Sequence, residues 1–369
     1  MRLFGKRPAV PARPALVRPA GGAVRGDWPR SYDGQLRDAY LANPIAQRAV
    51  RIVAEGAGAL PVYAQDDAHD AAAVLLRQPD LIETIAAQLL LHGNAFVQIA
   101  GDADGVPAEL FALRPERVTI EPDARGWPAA YLYRAGEAAM RLPAHDGAGR
   151  PALAHIRALN PADDHYGVGA LGAAAGAVAV HNAAARWNKA LLDNAARPSG
   201  ALVYEAGEGA ALSAEQFDRL RGQMDAEFSG AANAGRPMLL EGGLKWQAMS
   251  LTPADMDFVG LKAAAAREIA LAFGVPPMLL GLPGDNTYAN YSEANRALYR
   301  LTIVPLAGKI VSGLAAALGA WWPGLTLAID LDAVPALAAD RAALWAQVTA
   351  ADFLSIDEKR AMLGFGKGG

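Results

Sequence analysis

A long helical pattern that ends abruptly near residue 274 constrains the fold of this chain more than any other feature. The pattern opens at Thr252 with a capping box, and Gly274 can end it in a left-handed conformation. The two prolines at 276–277 forbid its continuation. Glycine, proline, Asp and Asn are frequent at 281–286, and a second long helical segment starts at Ser292. The sequence therefore predicts two long helices joined by a flexible polar loop.

Length and charge narrow the class of protein further. A chain of 369 residues exceeds one typical domain, so we expect two or three compact parts. The net charge of −4 argues against general basic attraction to nucleic acid, because phosphate neutralisation dominates such binding. The absence of cysteine excludes disulfides, thiolate metal ligands and a cysteine nucleophile. DNA is therefore expected only as a passing ligand.

The first thirty residues predict a disordered basic arm. They contain seven Lys or Arg residues, with five prolines interleaved. Arginine and proline interrupt every apolar run, so the segment lacks the core of a signal peptide and export is not expected. Contact with acidic protein or with DNA is one interpretation of the arm, and a solvated tail without function is the favoured one.

Two apolar stretches, at 167–180 and 310–323, raise the alternative of a membrane protein. Each has about fourteen residues, whereas a bilayer-spanning helix needs roughly 20. Arg, Lys, Asn or Pro flank each stretch at positions that would lie in lipid. We interpret both as buried or ring-packed helices and expect no membrane contact.

The pattern between residues 43 and 166 is that of an α+β domain. Apolar residues at helical spacing predict a helix from Asn43 to Ala57. Asp80 and Glu83 predict a capping box, which opens a second helix that ends at the His-Gly pair 92–93. Strand-like runs separated by turns follow at 95–99, 109–113, 118–121, 130–133 and 155–159. Such an order of elements favours an α+β fold.

Small apolar residues dominate a further helical pattern from about Val168 to Ala196. One stripe of this helix is predicted to pack and carries Val180, Ala184, Trp187 and Leu191. Another is predicted to face solvent and carries Asn182, Arg186, Lys189, Asp193 and Arg197. A small α/β insert follows: a strand at 201–205, a helix capped by Ser213 and Gln216, and strands near 238–240 and 244–249 with a turn at 241–243.

Gly167, Gly169 and Gly172 form G-x-G-x-x-G, the fingerprint of dinucleotide binding. That chemistry needs a strand running directly into the first glycine and an acidic residue at the end of the next strand. Here residues 160–166 separate the nearest strand-like run from Gly167, and Asp193 lies within a helical pattern. We therefore do not favour nucleotide binding at these glycines. Nucleotide binding stays an alternative.

Catalytic patterns are sparse in this sequence. Neither H-E-x-x-H nor G-x-S-x-G occurs, and the glycine-rich stretch 229–237 lacks the P-loop lysine. Asp163, Asp164 and His165 form the one tempting metal cluster, but three adjacent ligands seldom converge on one ion. A polar loop is the favoured interpretation. We expect no enzymatic activity, cofactor or metal.

Four segments resemble the portal proteins of tailed phages, and they occur in that family's order. They are L-L-H-G-N-A-F-V at 90–97, L-R-P-E-R-V at 113–118, N-A-G-R-P-M-L-L-E-G-G at 233–243 and T-Y-A-N-Y-S-E-A-N-R at 287–296. The resemblance covers roughly Asn43 to Leu318. It implies an α+β ring subunit with a wing, two long stem helices, a small α/β clip, a tunnel loop and a short helical crown.

The resemblance also implies where these parts lie. The expected boundaries are a disordered arm at 1–30, the wing at 31–166, the first stem helix at 167–198, the clip at 199–251, the second stem helix at 252–274, the tunnel loop and return helix at 275–333, and the crown at 334–369. Pro305 is expected to bend the return helix. Asp285, Asn286, Thr287 and Tyr288 are the candidates for the loop nearest DNA, and Arg186, Lys189, Lys262 and Arg267 those for the stem channel or subunit interface.

As a portal subunit, the chain would form a ring of twelve copies at one capsid vertex of a virion, assembled in the cytoplasm of a bacterial host. Double-stranded DNA would pass through the ring without sequence recognition. The major capsid protein would meet the wings, and the terminase and head-tail adaptor would meet the clip. A nucleotide-binding enzyme and a membrane-associated pore or scaffold are the alternatives. The sequence does not separate a phage from a prophage or a gene transfer agent.

Overall fold

The computed structural model describes residue 16 and residues 31–193, 200–204, 213–228, 244–248, 258–282 and 287–364. Its contacts divide the chain into two compact units. The first, here called the body, comprises Met1–Ala175 and Ala270–Gly369, and the second, here called the middle unit, comprises Gly176–Ile269.

The described residues contain both helices and strands, with a run of six strands between α4 and α5. The helices are α1 (Tyr32–Gln35), α2 (Pro44–Gly58), α3 (Asp70–Leu76), α4 (Leu81–Leu91), α5 (Ala170–Asp193), α6 (Ala214–Phe228), α7 (Phe258–Ala272), α8 (Tyr288–Leu298), α9 (Val304–Leu318), α10 (Ala338–Ala350) and α11 (Ile356–Leu363). The strands are β1 (Val62–Ala64), β2 (Asn94–Gly101), β3 (Pro107–Leu113), β4 (Val118–Pro122), β5 (Pro128–Ala135), β6 (Ala138–Pro143), β7 (Leu153–Arg157), β8 (Gly200–Tyr204), β9 (Leu244–Ala248) and β10 (Leu327–Ile329).

The first long helix of the body, α2, follows from local signals in the sequence. Asn43 caps it by accepting hydrogen bonds from the N–H groups of Ile45 and Ala46, and a proline fills its first position. Its buried stripe consists of alanine and valine and packs against α4. Such short side chains allow the two helix backbones to approach closely. The predicted helix at 43–57 is confirmed.

The predicted capping box at Asp80 is wrong. Asp80 adopts a left-handed conformation, with φ of 59°, and its side chain does not cap α4. A capping side chain needs extended backbone at its own residue, and a left-handed residue points that side chain elsewhere. The predicted end of this helix is confirmed, because Gly93 has a φ of 83°.

Two antiparallel sheets form another part of the body's core. The strand order is β3-β2-β7 in one and β4-β5-β6 in the other. Phe96, Ile120, Tyr131 and Leu153 meet in one buried cluster contributed by both sheets. The predicted strand at 155–159 begins and ends two residues too late, since β7 spans Leu153–Arg157.

A two-stranded sheet, β1 with β10, joins distant parts of the chain in antiparallel register. The last helices are fastened beside it. Arg341 of α10 donates to both carboxylate oxygens of Asp332, at 2.6 and 2.9 Å, and to the Leu363 carbonyl oxygen at the end of α11. Ser355 and Glu358 form a capping box at the start of α11.

The return helix begins earlier than predicted, and a π-helical turn interrupts it. It begins at Tyr288, four residues before the predicted Ser292, because the Thr287 hydroxyl caps it by accepting from the Asn290 N–H. A π-helical turn, Tyr299–Ile303, then separates α8 from α9. Pro305 lies in the first turn of α9, so the missing N–H of proline falls next to this turn.

Together α8, the π-helical turn and α9 form a helical run of 31 residues that is long and apolar enough to cross a membrane. The length argument made from 310–323 alone is therefore wrong, because that stretch continues a longer helix. The inner side of the run is nevertheless part of the body's core: Ile303, Ile310, Leu314 and Leu318 are buried. Buried core helices can be equally long and apolar, so length and composition alone are weak evidence for a membrane span.

The middle unit contains most of α5, all of α6, β8 and β9, and most of α7. Strands β8 and β9 pair antiparallel, and Ser213 and Gln216 cap α6 reciprocally as predicted. The predicted opening of the second long helix at Thr252, the strand near 238–240 and the turn at 241–243 lie outside the described residues.

The predicted packing face of α5 is only partly right. Ala184 is buried, but Val180 and Trp187 are 39% and 42% exposed, and the buried stripe runs through Ala177, Val178 and His181. In an alanine-rich helix several faces are equally apolar, so the partner decides which one packs. The predicted disorder of the basic arm falls outside the described residues except at Leu16, whose N–H donates to the Arg125 carbonyl oxygen.

Candidate channel loop and stem residues

Of the four residues predicted nearest DNA, two begin a helix. Asp285 and Asn286 lie outside the described residues. Thr287 is the N-cap of α8, and Tyr288 is its first residue, with 90% of its surface exposed. The described part of this loop therefore ends in a capped helix that presents an aromatic side chain to solvent.

The other end of the loop is fixed at Gly274. This glycine has a φ of 66° and ends α7, as predicted, and its carbonyl oxygen accepts a hydrogen bond from the Thr302 hydroxyl at 2.8 Å. A 3₁₀ turn, Pro277–Leu280, follows and ends at Gly281, with a φ of 73°. Thr302 belongs to the π-helical turn, so the chain entering the loop is bonded to the helix that leaves it.

The four predicted stem residues all lie in the middle unit. Arg186 and Lys189 are exposed on α5, Arg267 is exposed on α7, and Lys262 is half-buried there. Burial and, to a smaller extent, the Lys262 ammonium lower the pKa of His181 on α5. The two helices are therefore neighbours within this unit, and they place cations among small apolar side chains.

The G-x-G-x-x-G motif is a packing contact in this structure. Strand β7 is antiparallel to β2 and ends ten residues before Gly167, so no parallel strand leads into the glycines. A Cβ atom on Gly169 would lie 2.5 Å from the Leu91 carbonyl oxygen, and one on Gly167 would lie 2.7 Å from backbone atoms of Ala158. The first two glycines therefore allow the chain to pass close to other backbone segments.

Asn94 stabilises this close approach of the chain at Gly167, here called the crossing. The sequence analysis did not identify it. It is fully buried, and its amide oxygen accepts from the Gly167 N–H at 2.7 Å while its amide nitrogen donates to the Gly167 carbonyl oxygen at 3.1 Å. His155 contacts the same amide oxygen through Nε2 at 3.1 Å. The available signal was a lone Asn at the start of an apolar strand, which requires buried partners.

Two histidines of this cluster are neutral at physiological pH. Burial is the main cause that lowers the pKa of His155 to about 3, with contributions from the charges of Arg157, His165 and His92. Burial alone lowers the pKa of His92 to about 4. Neutral, buried and hydrogen-bonded rings of this kind serve the packing of the body.

The Asp163-Asp164-His165 segment forms a turn. One carboxylate oxygen of Asp163 accepts from the N–H groups of His165 and Tyr166, at 2.7 and 3.0 Å. The part of the chain that the structure describes contains no group of three His, Cys, Asp or Glu side chains arranged to hold a metal ion. The favoured interpretation of this segment as a polar loop agrees with that geometry.

Comparison with protein families gives a match that spans most of the chain. A family model described as phage portal protein matches residues 44–364. An uncharacterized protein of Rickettsia bellii is 39% identical over 354 residues, which cover 89% of this chain and 88% of the relative. A probable portal protein of Streptomyces phage phiC31 is 25% identical over 245 residues, covering 63% of this chain and 51% of the relative.

Solved structures match the whole described architecture. A chain in the neck of a native GTA particle, computed with C12 symmetry, has a TM-score of 0.69 and 47% identity, and the match covers 94% of this chain and 97% of the other. A chain in the virion of a native gene transfer agent (GTA) particle matches at 46% identity with the same TM-score. An HK97 family phage portal protein from Corynebacterium diphtheriae, at 18% identity and a TM-score of 0.58, shares the fold and covers 81% of this chain and 98% of its own. The predicted α+β class is thereby confirmed.

Proposed function

This chain belongs to the phage portal protein family, and we propose that twelve copies of it form the ring in the neck of a gene transfer agent or phage particle. The family predicted from the sequence is confirmed. Portal proteins are structural, in agreement with the prediction that the chain is not an enzyme. The observation that carries the proposal is the 47% identity to a chain of a C12-symmetric GTA neck, over 94% of this chain.

Under this proposal each part of the fold has a role. The body is the wing together with the crown, α5 and α7 are the stem helices, and β8, α6 and β9 belong to the clip. Residues 275–286 form the tunnel loop that leads to α8. The ring is part of the virion at its portal vertex and assembles in the cytoplasm of the host.

The charges of the proposed stem fit a channel that conducts DNA without retaining it. Trp187 and Asn188 separate Arg186 from Lys189, four alanines separate Lys262 from Arg267, and Glu268 lies next to Arg267. A protein that binds DNA tightly neutralises many phosphates at once, whereas isolated cations give weak, salt-sensitive contacts. Such contacts suit the passing, sequence-independent DNA contact of a conduit.

We assign the docking partners by the same reasoning. The wing meets the major capsid protein, and the clip meets the terminase during packaging and the head-tail adaptor afterwards. Hydrolysis of ATP belongs to the terminase, in keeping with a G-x-G-x-x-G segment whose first two glycines pack against backbone in this chain. These partners rest on membership of the family.

The test of the channel role replaces residues 283–286 by Gly-Ser-Gly-Ser and leaves Thr287 in place, because Thr287 caps α8. We expect rings of about twelve times 38.4 kDa by native mass spectrometry, together with reduced DNA packaging or retention. The loop would lose its shape while the capped helix and Gly274 keep the fold. Quantitative PCR of nuclease-protected DNA in particles measures the effect.

Tyr288→Ala provides a second probe of the same loop, and Phe111→Ala, at an exposed aromatic residue of β3 in the body, provides a matched control. Tyr288 is 90% exposed, so its removal leaves the subunit's packing unchanged. Rings with normal packaging in both loop variants would remove the loop from the mechanism. A wild-type chain that stays monomeric with capsid, terminase and adaptor proteins present would contradict the ring itself.

A further inference from the structure

The last two helices of the chain leave an apolar groove open. A groove of about 390 Å³ lies between α10 and α11, with walls formed by Trp345, Val348, Ile356 and Leu363. Lys359 and Arg360 lie at its edge. For comparison, a buried cavity of roughly 150 Å³ is enough to hold a benzene molecule. The groove is therefore large enough for an aromatic side chain with positively charged groups beside it.

The connection between the same two helices carries a side chain of matching chemistry. Phe353 is 86% exposed, although it lies only three residues before α11. Asp352, next to it, is also exposed. A phenyl ring beside a carboxylate complements an apolar groove beside two cations. Phe353 does not fill the groove of its own subunit, because nearly all of its surface faces solvent.

We propose that Phe353 of one subunit inserts into the α10–α11 groove of the neighbouring copy, with Asp352 facing that copy's Lys359 and Arg360. This inference rests on the proposed ring. Phe353 and the groove lie on different surfaces of one chain, so the contact is head-to-tail. Contacts of that type repeat from subunit to subunit and form a ring when the rotation between successive copies closes. The partner is therefore a second copy of this chain.

The affinity of this subunit contact can be measured. Burying a phenyl ring and removing it from water is expected to change the dissociation constant of one subunit contact by about tenfold to hundredfold. We expect Phe353→Ala rings to dissociate on dilution at a correspondingly higher concentration, as followed by mass photometry. Phe353→Leu keeps an apolar side chain and should retain most of the contact.

Disulfide trapping tests the geometry, because the chain contains no cysteine. Two differently tagged copies, one with Phe353→Cys and one with Thr349→Cys, are co-expressed and the rings are oxidised mildly. Thr349 lines the groove. We expect a cross-linked dimer that carries both tags, since the two Cβ atoms must approach to about 4 Å. Phe353→Cys with Phe111→Cys, on β3 of the body, is the control pair and should not cross-link.

The outcomes separate this contact from the ring itself. Wild-type chains that form no ring would contradict the proposed function. Rings that form without the two-tag cross-link, and that dissociate at the same concentration with Phe353→Ala, would overturn the contact while leaving the ring in place. Cross-links between two Phe353→Cys copies alone would indicate a symmetric pair and would also overturn it. Charge reversal at Asp352→Lys should weaken the ring, and Lys359→Glu in the same chain should restore part of it.

Discussion

An added methyl group would meet different surroundings at the three glycines of the 167–172 motif. At Gly167 and Gly169 it would collide with backbone atoms of other segments, whereas at Gly172 no atom lies within 4 Å. Backbone cannot move aside as a flexible side chain can. The motif therefore reflects two close approaches of the chain followed by one ordinary helical glycine.

This difference gives a prediction with an internal control. Gly169→Ala should lower the free energy of unfolding by about 3 kcal/mol through overpacking. Gly172→Ala should raise it by about 0.5–1 kcal/mol, because alanine favours a helix more than glycine does. Urea unfolding measures both. A dinucleotide site would instead require all three glycines for ligand binding, so equal effects of the two variants would contradict the packing interpretation.

Asn94 explains why the crossing occurs where it does. Its carboxamide satisfies both the N–H and the carbonyl of Gly167, 73 positions along the chain. Buried backbone groups at such a crossing are costly unless they are paired. The sequence identified Gly93 as the end of a helix, but it did not indicate that the side chain of the next residue bonds to Gly167.

At the scale of elements, several helix ends were predictable from local signals and helix faces were not. Ser213 caps the helix that the sequence assigned to it, Asn43 and Ser355 also cap their helices, and the capping box predicted at Asp80 is wrong. These signals act within four residues and depend little on the rest of the fold. The packing face of α5 and the π-helical turn at 299–303 depend on neighbouring elements, and their predictions were wrong or missing.

Arg341 contributes to the docking of the last helices. It is bonded to Asp332 and to the Leu363 carbonyl oxygen, and only 14% of its side chain is exposed. Arg341→Met should destabilise the attachment of α10 and α11 by about 1–3 kcal/mol, because it removes the donor to the Leu363 carbonyl oxygen and two of the hydrogen bonds that Asp332 accepts. Arg341→Lys should recover little, since lysine lacks the planar two-pronged donor.

Hydrogen exchange of residues 356–363 measures this attachment. We expect faster exchange there in Arg341→Met and unchanged exchange in β2 and β3. Arg134→Met, at an exposed position of β5, serves as the control for loss of a surface cation. Equal protection of α11 in wild type and Arg341→Met would contradict this role of Arg341, because other contacts, such as the Tyr63 and Gln65 hydrogen bonds to the Gly364 carbonyl oxygen, would then hold the helix.

For the whole molecule, the buried histidines link stability to pH. His155 has a folded pKa of about 3 against an ordinary 6.5, so the unfolded chain binds a proton that the folded chain does not. Its contribution is fully present above pH 6.5 and is lost as the pH falls from 6.5 towards 3. The loss approaches about 1.4 kcal/mol per pH unit for this group within that window.

Urea unfolding at pH 7, 6 and 5 tests this linkage. Wild type should lose stability faster than His155→Gln over that range, because glutamine can still donate to Asn94 and does not titrate. His145, outside the buried cluster, gives a matched control in His145→Gln, which should follow wild type. Parallel curves for wild type and His155→Gln would contradict the assignment of the pH dependence to His155.

The sequence by itself determined several helix ends, the α+β class and the family. Those features depend on local backbone preferences, such as the left-handed glycines at 93, 274 and 364. They also depend on short segments that resemble the portal family and occur in its order along the chain. Tertiary structure alone decided which faces of the alanine-rich helices are buried, the left-handed turn at Asp80 and the clamp between Asn94 and Gly167. These depend on contacts between residues far apart in sequence, whose free energy exceeds the small local preferences that the sequence displays.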